Sequence, residues 1–209
     1  MRLYSLTLLG LILAAAPASA QTDVANYNLN PLARAYASDS GNYGTRPSGV
    51  IDGNNNAYFG YDGNFYHSGT GSGGVVLDPN ATSAWWYVDL NGNYDISKMV
   101  FFYRTDCCPG QNNGDFLRIW TTPPNFTDAS TALYTGILDS NNSGVYTLGS
   151  PVTGRYVSIQ GGNIVAAELE VYAVPASESV TPEPASLVLL ATGLAGVAAV
   201  TRRRKRITR

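Results

Sequence analysis

Three neighbouring segments carry the strongest structural pattern of the chain: W-W-Y-V-D-L (85–90), K-M-V-F-F-Y-R-T-D-C-C-P-G (98–110) and D-F-L-R-I-W (115–120). They contain all three tryptophans and both cysteines of the 209 residues. In the first segment Trp86, Val88 and Leu90 alternate with more polar residues. Apolar residues at every second position line one face of a strand, so this segment is predicted to be a half-buried β-strand.

Further apolar runs, each short and bounded by Gly, Asn or Pro, extend the pattern in both directions. They are residues 33–37, 96–103, 116–121, 133–138, 145–148, 155–160 and 168–173. The N-G-N-Y-D sequence at residues 91–95 is predicted to be a turn that separates two strands. Before the C-terminal tail, no segment keeps a helical period of 3.6 residues. Seven or eight short strands separated by turns predict an all-β domain, a β-sandwich or jelly roll.

The adjacent cysteines, Cys107 and Cys108, set a demanding geometry. Successive Cα atoms lie about 3.8 Å apart, whereas disulfides usually join Cα atoms roughly 4.4–6.8 Å apart. A bond between them would close a small strained ring, and such strain tends to persist where it serves a function. The ring would offer a flat apolar surface beside Arg104 and Asp106, suited to the face of a small ligand such as a sugar. A reduced pair and an intermolecular bridge are the alternatives.

The composition narrows the class of protein. Charged residues make up only 13% of the chain and apolar residues 44%, which fits an exported β-protein and is too apolar for disorder. Between residues 21 and 180 there are six basic and 14 acidic residues, a net charge of about −8. Binding to nucleic acid through a basic patch is therefore not expected. The acidic oxygens suit a hard cation.

Residues 1–20 have the features of a secretory signal peptide. Arg2 precedes an apolar run, and the segment ends in the small residues A-S-A. The alternative is an uncleaved anchor, but the apolar run is short and its end is cleavable. The mature chain is predicted to begin at Gln21 and to enter an oxidising compartment, where a disulfide is the expected state of paired cysteines.

The C-terminus is predicted to be a second sorting region. After the β-domain at residues 21–175, residues 176–184 form a linker that ends in P-E-P, and residues 185–209 form an apolar helix with an Arg-rich tail. Positive charge after an apolar span keeps that end cytoplasmic. These residues resemble the PEP-CTERM sorting signal, which implies processing by an exosortase-type enzyme, at least transient contact with the membrane and a link to exopolysaccharide or biofilm. A simple C-terminal membrane anchor is the alternative.

The order of several motifs resembles one known family. They are N-L-N-P-L-A-R-A (28–35), V-I-D-G-N (50–54), W-W-Y-V-D-L (85–90), F-Y-R-T-D-C-C (102–108), N-G-D-F-L-R-I (113–119), G-R-Y-V (154–157) and E-L-E-V-Y-A (168–173). Together they resemble the fucolectin-like branch of the discoidin or coagulation-factor type C superfamily. The resemblance implies a galactose-binding-domain-like jelly-roll β-sandwich that binds carbohydrate without reacting with it.

In that branch the sugar packs on a disulfide between adjacent cysteines, and a histidine and two arginines donate to it. Arg104 matches the first arginine, whereas Gln111 stands at the position of the second. The family histidine would fall within residues 75–84, which contain none, and His67 is the only histidine of the chain. The resemblance therefore implies the following carbohydrate-binding candidates: Arg104, Asp106, Cys107, Cys108, Gln111 and His67.

The same resemblance implies a structural Ca²⁺. Its side-chain ligands would be Asp52, Asn54 and Glu168, and its main-chain ligands the carbonyls of Gly49 and Ala167. Such oxygen ligands are those that Ca²⁺ prefers. An ordinary Asx turn and a solvated acid are the alternative for these residues.

The sequence therefore predicts a non-enzymatic, exported lectin-like protein, retained in the cell envelope or at the extracellular surface, that holds a glycan or exopolysaccharide. It has no G-x-S-x-G element and no His-rich metal motif, which argues against hydrolytic chemistry. The alternative is a non-catalytic matrix or biofilm protein with a degenerate sugar pocket, acting through protein–protein contacts. The substitution of the second arginine favours this alternative, whereas the intact D-C-C favours the lectin.

Overall fold

The computed structural model describes residues 20–59, 64–69, 76–108, 110–141 and 143–176. Within these ranges the chain forms eight strands and two short 3₁₀ helices, Pro47–Val50 and Ala129–Thr131. The strands are β1 (Thr22–Asp23), β2 (Arg34–Ala37), β3 (Tyr66–His67), β4 (Ala84–Tyr103), β5 (Phe116–Trp120), β6 (Tyr134–Ile137), β7 (Val145–Gly161) and β8 (Val165–Pro175). The predicted all-β sandwich is confirmed.

The predicted signal peptide, apart from Ala20, and the predicted tail, apart from Ala176 of its linker, lie outside the described ranges. The proposed C-terminal helix is among these residues. In the part of the chain that is described, no helix is long and apolar enough to cross a membrane.

Strand β4 is the centre of the sheet. The order of the strands is β1-β8-β4-β7-β5-β6, with β2 added to β4 and β3 added to β8, and every described pairing is antiparallel. The first part of β4 pairs with β2, and its second part, from Tyr94, pairs with β8. Strand β7 accompanies β4 along most of its length. Residues after β4 are therefore held at the end of the most highly connected strand.

The predicted break at residues 91–95 is wrong. Strand β4 continues through it, and the residues on either side pair with the single strand β7. The register shifts between Asp89 and Tyr94, where Asn91 has a φ of 58°. Extra residues on one strand are absorbed as a bulge that bends the strand without reversing it. The predicted strands 145–148 and 155–160 are likewise parts of β7.

The alternating residues of β4 form the core, as the sequence predicted. Trp86, Val88 and Leu90 are fully buried, and they belong to one apolar cluster with residues of the adjoining strands. Burying a large apolar side chain contributes roughly 1.5–3 kcal/mol. On the other face Trp85 stacks against Phe126, with ring centroids 4.9 Å apart. This packing holds the first part of β4 in the core.

Candidate functional site

Arg104, the first residue after β4, is held on two sides. Its Nε and Nη2 donate to the carboxylate of Asp106 at 2.8 and 2.9 Å. Its guanidinium carbon lies 4.1 Å from the centroid of the Phe59 ring, within the range of a cation–π contact. The hydrogen bonds from Arg104 hold the pKa of Asp106 well below its usual range, so this carboxylate stays ionised. The orientation of the guanidinium is thus fixed by the protein.

A disulfide joins Cys107 and Cys108, whose Cα atoms lie 3.8 Å apart. Cys108 has a φ of 56°, in the left-handed region that non-glycine residues rarely adopt. Thr105, just before the disulfide, is anchored to a second loop. Its N–H and its hydroxyl donate to the carbonyl of Ala57 at 2.8 and 3.0 Å. The sulfur ring is therefore attached to a loop that is tied to a second loop.

His67 reaches the same region from β3, which pairs with the start of β8. Its backbone N–H donates to the hydroxyl of Thr45 at 3.1 Å, and its Nδ1 lies 2.9 Å from the carbonyl of Ser68. Because a carbonyl only accepts, Nδ1 is the donor in this contact. In the neutral form of the ring, Nε2 is then an acceptor. The ring makes edge contacts with Tyr43 and Phe59, at centroid distances of 5.3 and 6.1 Å.

These groups meet in a cavity of about 350 Å³, which we call the first cavity. It is lined by Tyr43, Phe59, His67, Arg104, Cys108 and Gln111. Four of the six predicted carbohydrate-binding residues thus lie together. The other two, Asp106 and Cys107, line an adjoining second cavity of about 590 Å³, which Arg104 also borders. Oε1 of Gln111 is buried and has no hydrogen-bond partner among the described residues.

The sequence did not identify Tyr43 and Phe59 as site residues. Tyr43 lies in the glycine-flanked turn G-N-Y-G and has a φ of 54°, a conformation that is unusual for an aromatic residue. An aromatic residue in a Gly/Asn-rich loop was the available signal, but many tyrosines of this chain share it. Both residues are more than 40 positions from Arg104, so no spacing linked them to it.

The first cavity combines fixed donors, acceptors and apolar faces. Arg104 donates, Nε2 of His67 accepts, and the amide of Gln111 can do both. Phe59, Tyr43 and the sulfur of Cys108 supply apolar surface. Because Asp106 neutralises Arg104, the arrangement suits a neutral ligand that is rich in hydroxyl groups and has an apolar face.

The predicted calcium ligands Asp52 and Glu168 are brought close enough to interact. Glu168 is fully buried in β8; its Oε1 accepts from the N–H of Gly53 at 3.2 Å, and its Oε2 has no partner among the described residues. Burial raises the pKa of Glu168 to about 9, and the charge of Asp52 adds to this effect. A buried carboxylate with an unsatisfied oxygen beside a second carboxylate fits a cation, which would offset the desolvation of both.

The other predicted calcium ligands, Asn54, Gly49 and Ala167, differ in exposure. Asn54 is exposed; its N–H donates to Oδ1 of Asp52 at 2.9 Å, and its Oδ1 accepts from Asn56 at 3.1 Å. Gly49 and Ala167 are both buried. No group of three or more His, Cys, Asp or Glu side chains suited to a metal occurs among the described residues. A cation here would rely on the two carboxylates together with amide and main-chain oxygens, a donor set that fits Ca²⁺.

Comparisons with known proteins agree with this fold. Over 112 residues the chain is 31% identical to "Fucolectin-6" of Anguilla japonica; the match covers 54% of this chain, which spans about half the length of that relative. A fucolectin from the serum of the striped bass, Morone saxatilis, superposes with a TM-score of 0.56 at 23% identity, covering 76% of this chain and 51% of that one.

A fucose binding module of Streptococcus pneumoniae superposes with a TM-score of 0.55 at 20% identity, covering 73% of this chain and 98% of the module. Residues 180–205 match the PEP-CTERM protein-sorting motif, as predicted. Residues 49–159, just over half of the chain, match the F5/F8 type C family described as NedA-like, galactose-binding domain. The chain therefore belongs to this F5/F8 type C, NedA-like galactose-binding family.

Proposed function

We propose that this protein is an exported, surface-retained lectin-like protein that binds a sugar of cell-surface glycans or exopolysaccharide. The observation that carries the proposal is the first cavity, where His67, Arg104, Cys108 and Gln111 converge from separate parts of the chain. The relatives of this protein are named as fucolectins and a fucose binding module, which supports a sugar as the ligand.

The chemistry of the first cavity matches the two surfaces of a pyranose. Sugar hydroxyls both donate and accept, so Nε2 of His67 and Oε1 of Gln111 would accept from them. The C–H face of the sugar would pack on the apolar sulfur of Cys108 and on the neighbouring aromatic rings. Because Arg104, His67 and the disulfide are already oriented by contacts within the protein, little ordering of these groups is needed when a ligand binds.

Binding without catalysis is the better-supported role. A glycosidase generally needs two carboxyl groups flanking the bond it cleaves, one of them protonated to act as an acid. None of the six described residues that line the first cavity is acidic. Asp106, in the second cavity, is paired with Arg104 and has a lowered pKa, so it is unsuited to donate a proton.

A structural Ca²⁺ is part of the proposal. Oε2 of Glu168, which has no partner among the described residues, and the carboxylate of Asp52 would supply the negative charge that binds the ion. Oxygens of Asn54, Gly49 and Ala167 are the other proposed ligands. When bound, the ion would supply positive charge that neutralises a buried carboxylate. It would thereby tie the loop at residues 49–54 to β8.

The C-terminal motif suggests where the protein acts. A PEP-CTERM signal implies export and recognition by an exosortase-type enzyme, with the mature domain left at the surface or in the extracellular matrix. Membrane contact through residues 185–209, and a role in biofilm, follow from the same proposal. Gln111 in place of an arginine supports a second candidate, a matrix protein whose pocket no longer binds sugar and which acts through protein contacts.

A broad glycan array probed with the exported chain, first with Ca²⁺ and then with chelator, tests the proposal. Selective signal on neutral glycans that disappears with chelator is the expected result. A folded, Ca²⁺-loaded protein that binds no glycan would refute the lectin function and favour the matrix protein. Selective signal that persists in chelator would retain the lectin and remove the need for the ion.

A further inference from the structure

The second cavity adjoins the first at the disulfide. Cys108 lines the first cavity and Cys107 lines the second, while Arg104 borders both. The sulfur ring and the guanidinium therefore stand between two neighbouring recesses. Their volumes, about 350 and 590 Å³, together approach the upper end of the ~300–1,000 Å³ that is usual for ligand pockets.

The wall of the second cavity is ordered by specific contacts. The hydroxyl of Tyr103 accepts from the N–H of Asp139 at 3.0 Å and lies 2.9 Å from the hydroxyl of Tyr146. The N–H of Ser140 donates to Oδ1 of Asn113 at 2.7 Å. These bonds attach the loop that carries Ser140 to the end of β4 and to the loop that follows the disulfide.

The lining of the second cavity has the same chemical character as that of the first. Phe101, Phe102 and Tyr103 form its aromatic part at the end of β4. Thr105, Ser140 and Ser143 add hydroxyl-bearing side chains. Asp106, the one carboxylate among its described lining residues, is paired with Arg104, so these residues present no unbalanced positive charge for an acidic ligand.

We propose that the second cavity holds a second sugar unit, linked to the one in the first cavity. The preferred ligand is then a neutral oligosaccharide of at least two units, with the linkage lying over the disulfide and Arg104. This inference rests on the proposed function and deepens it, because it names the ligand as an oligosaccharide. A single sugar would fill the first cavity and leave the contacts of the second unused.

Filling the second cavity tests the inference. Ser143 is exposed at its rim, and S143W would occupy the recess. S150W, at an exposed serine on β7 that does not line either cavity, is the matched control. Calorimetric titration of the full chain would use a monosaccharide chosen from the array and oligosaccharides of two to four units that end in it. The wild type and S150W are expected to bind the oligosaccharide at least tenfold more tightly, and S143W should bind both equally.

A backbone NMR measurement serves in case S143W fails to fold. In the wild type, amide signals of Phe102 and Ser140 should move with the oligosaccharide and stay fixed with the monosaccharide. Equal affinity for the two ligands, or a preference for oligosaccharide that S143W retains, would overturn the second subsite and leave the lectin function intact. If the folded wild type binds sugars of neither length, both the subsite and the proposed function are refuted.

Discussion

The backbone N–H of Phe59 donates a 3.0 Å hydrogen bond to Oδ1 of Asp106, the oxygen that also accepts from Nε of Arg104. This bond joins two loops separated by 47 positions in the chain. It places the Phe59 ring against one face of the guanidinium while the carboxylate holds one edge. Two loops together therefore fix the position of Arg104.

Arg104→Ala is expected to weaken sugar binding without unfolding the domain. A hydrogen bond from a charged group contributes roughly 1.5–3 kcal/mol, which corresponds to about a 10–150-fold loss of affinity. A partly exposed ion pair contributes only ~0–1 kcal/mol to stability, and Asp106 keeps the N–H of Phe59 as a partner, so the melting temperature should change little. Calorimetric titration with an array hit and thermal melting would measure both quantities.

The matched control for this variant is Arg155→Ala. Arg155 makes the same two-bond contact, with Asp89 at 2.8 and 2.9 Å, but does not line the first or the second cavity. Arg155→Ala should retain full affinity. Unchanged affinity in Arg104→Ala, or an equal loss in both variants, would show that the first cavity is not the sugar site.

Gln111→Leu is expected to stabilise the fold while it weakens binding. Oε1 of Gln111 is buried without a partner among the described residues, and an unsatisfied buried acceptor costs about 1–3 kcal/mol. Leucine removes this cost together with the acceptor offered to the ligand. Denaturant unfolding and calorimetric titration should therefore change in opposite directions.

Gln160→Leu provides the contrast for that experiment. Gln160 accepts from Arg118 at 2.6 Å and donates to Ser83 and to the carbonyl of Phe126. Its replacement should destabilise the protein, because Arg118, Ser83 and the carbonyl of Phe126 would each lose a hydrogen-bond partner. A Gln111→Leu protein that is no more stable than the wild type, yet binds as well, would remove Gln111 from the site.

Glu168→Gln should remove most of the stabilisation that Ca²⁺ gives to the fold. In chelator the variant is expected to be at least as stable as the wild type, because the desolvated carboxylate is gone. With Ca²⁺ at about 100 times its Kd, the wild type should gain about 2.7 kcal/mol, and the variant should lose most of that gain. Melting with and without Ca²⁺ measures this difference.

Glu170→Gln is the control for the calcium prediction. Glu170, two positions along β8, accepts from the hydroxyl of Tyr172 at 2.9 Å and is not among the predicted ligands. It should respond to Ca²⁺ as the wild type does. Equal responses from wild type and Glu168→Gln would contradict the assignment of the ion to this carboxylate.

Asp115 should make stability fall as the pH rises. Its side chain is buried and accepts from Asn112 at 3.2 Å and Gly162 at 3.3 Å, and burial raises its pKa from 3.8 to about 6. The folded protein therefore binds more protons than the unfolded chain between these pH values. The protonated form of Asp115 therefore contributes to the free energy of unfolding. This contribution is fully present below about pH 4 and is lost as the pH rises through about 6.

The comparison of wild type with Asp115→Asn isolates this effect. The asparagine does not titrate. Relative to Asp115→Asn, the wild type should therefore lose about 2–3 kcal/mol of unfolding free energy between pH 4 and pH 7. Denaturant unfolding in chelator at each pH would measure it. Parallel profiles for the two proteins would show that Asp115 does not titrate in this range.

The local pattern of β4 was predictable because alternation depends only on neighbouring residues. Trp86, Val88 and Leu90 needed no knowledge of the rest of the chain. The continuity of β4 through residues 91–95 was not predictable, since it depends on β7 supplying partners more than 50 positions away. A turn-forming sequence was overridden by pairing with a distant strand.

The site was predictable only where its motif is compact. Arg104, Cys107 and Cys108 are close in the sequence, and the resemblance singled them out. His67 enters the first cavity because β3 pairs with Val165, a contact across almost 100 positions. Its place was therefore not fixed by its distance from the tryptophan pair, and the contribution of Phe59 could not be seen from spacing either.

Glu168 lies directly opposite Phe102 in the pairing of β4 with β8, and Phe102 precedes Arg104 by two positions. Movement of one strand against the other would therefore alter the proposed cation site and the proposed sugar site together. Ligands that favour the same arrangement of a shared element must strengthen each other's binding by an equal factor. If Ca²⁺ strengthens the binding of glycan, glycan must strengthen the binding of Ca²⁺. A cell surface that adheres to glycan only when Ca²⁺ is plentiful would then also accumulate Ca²⁺ wherever glycan is dense.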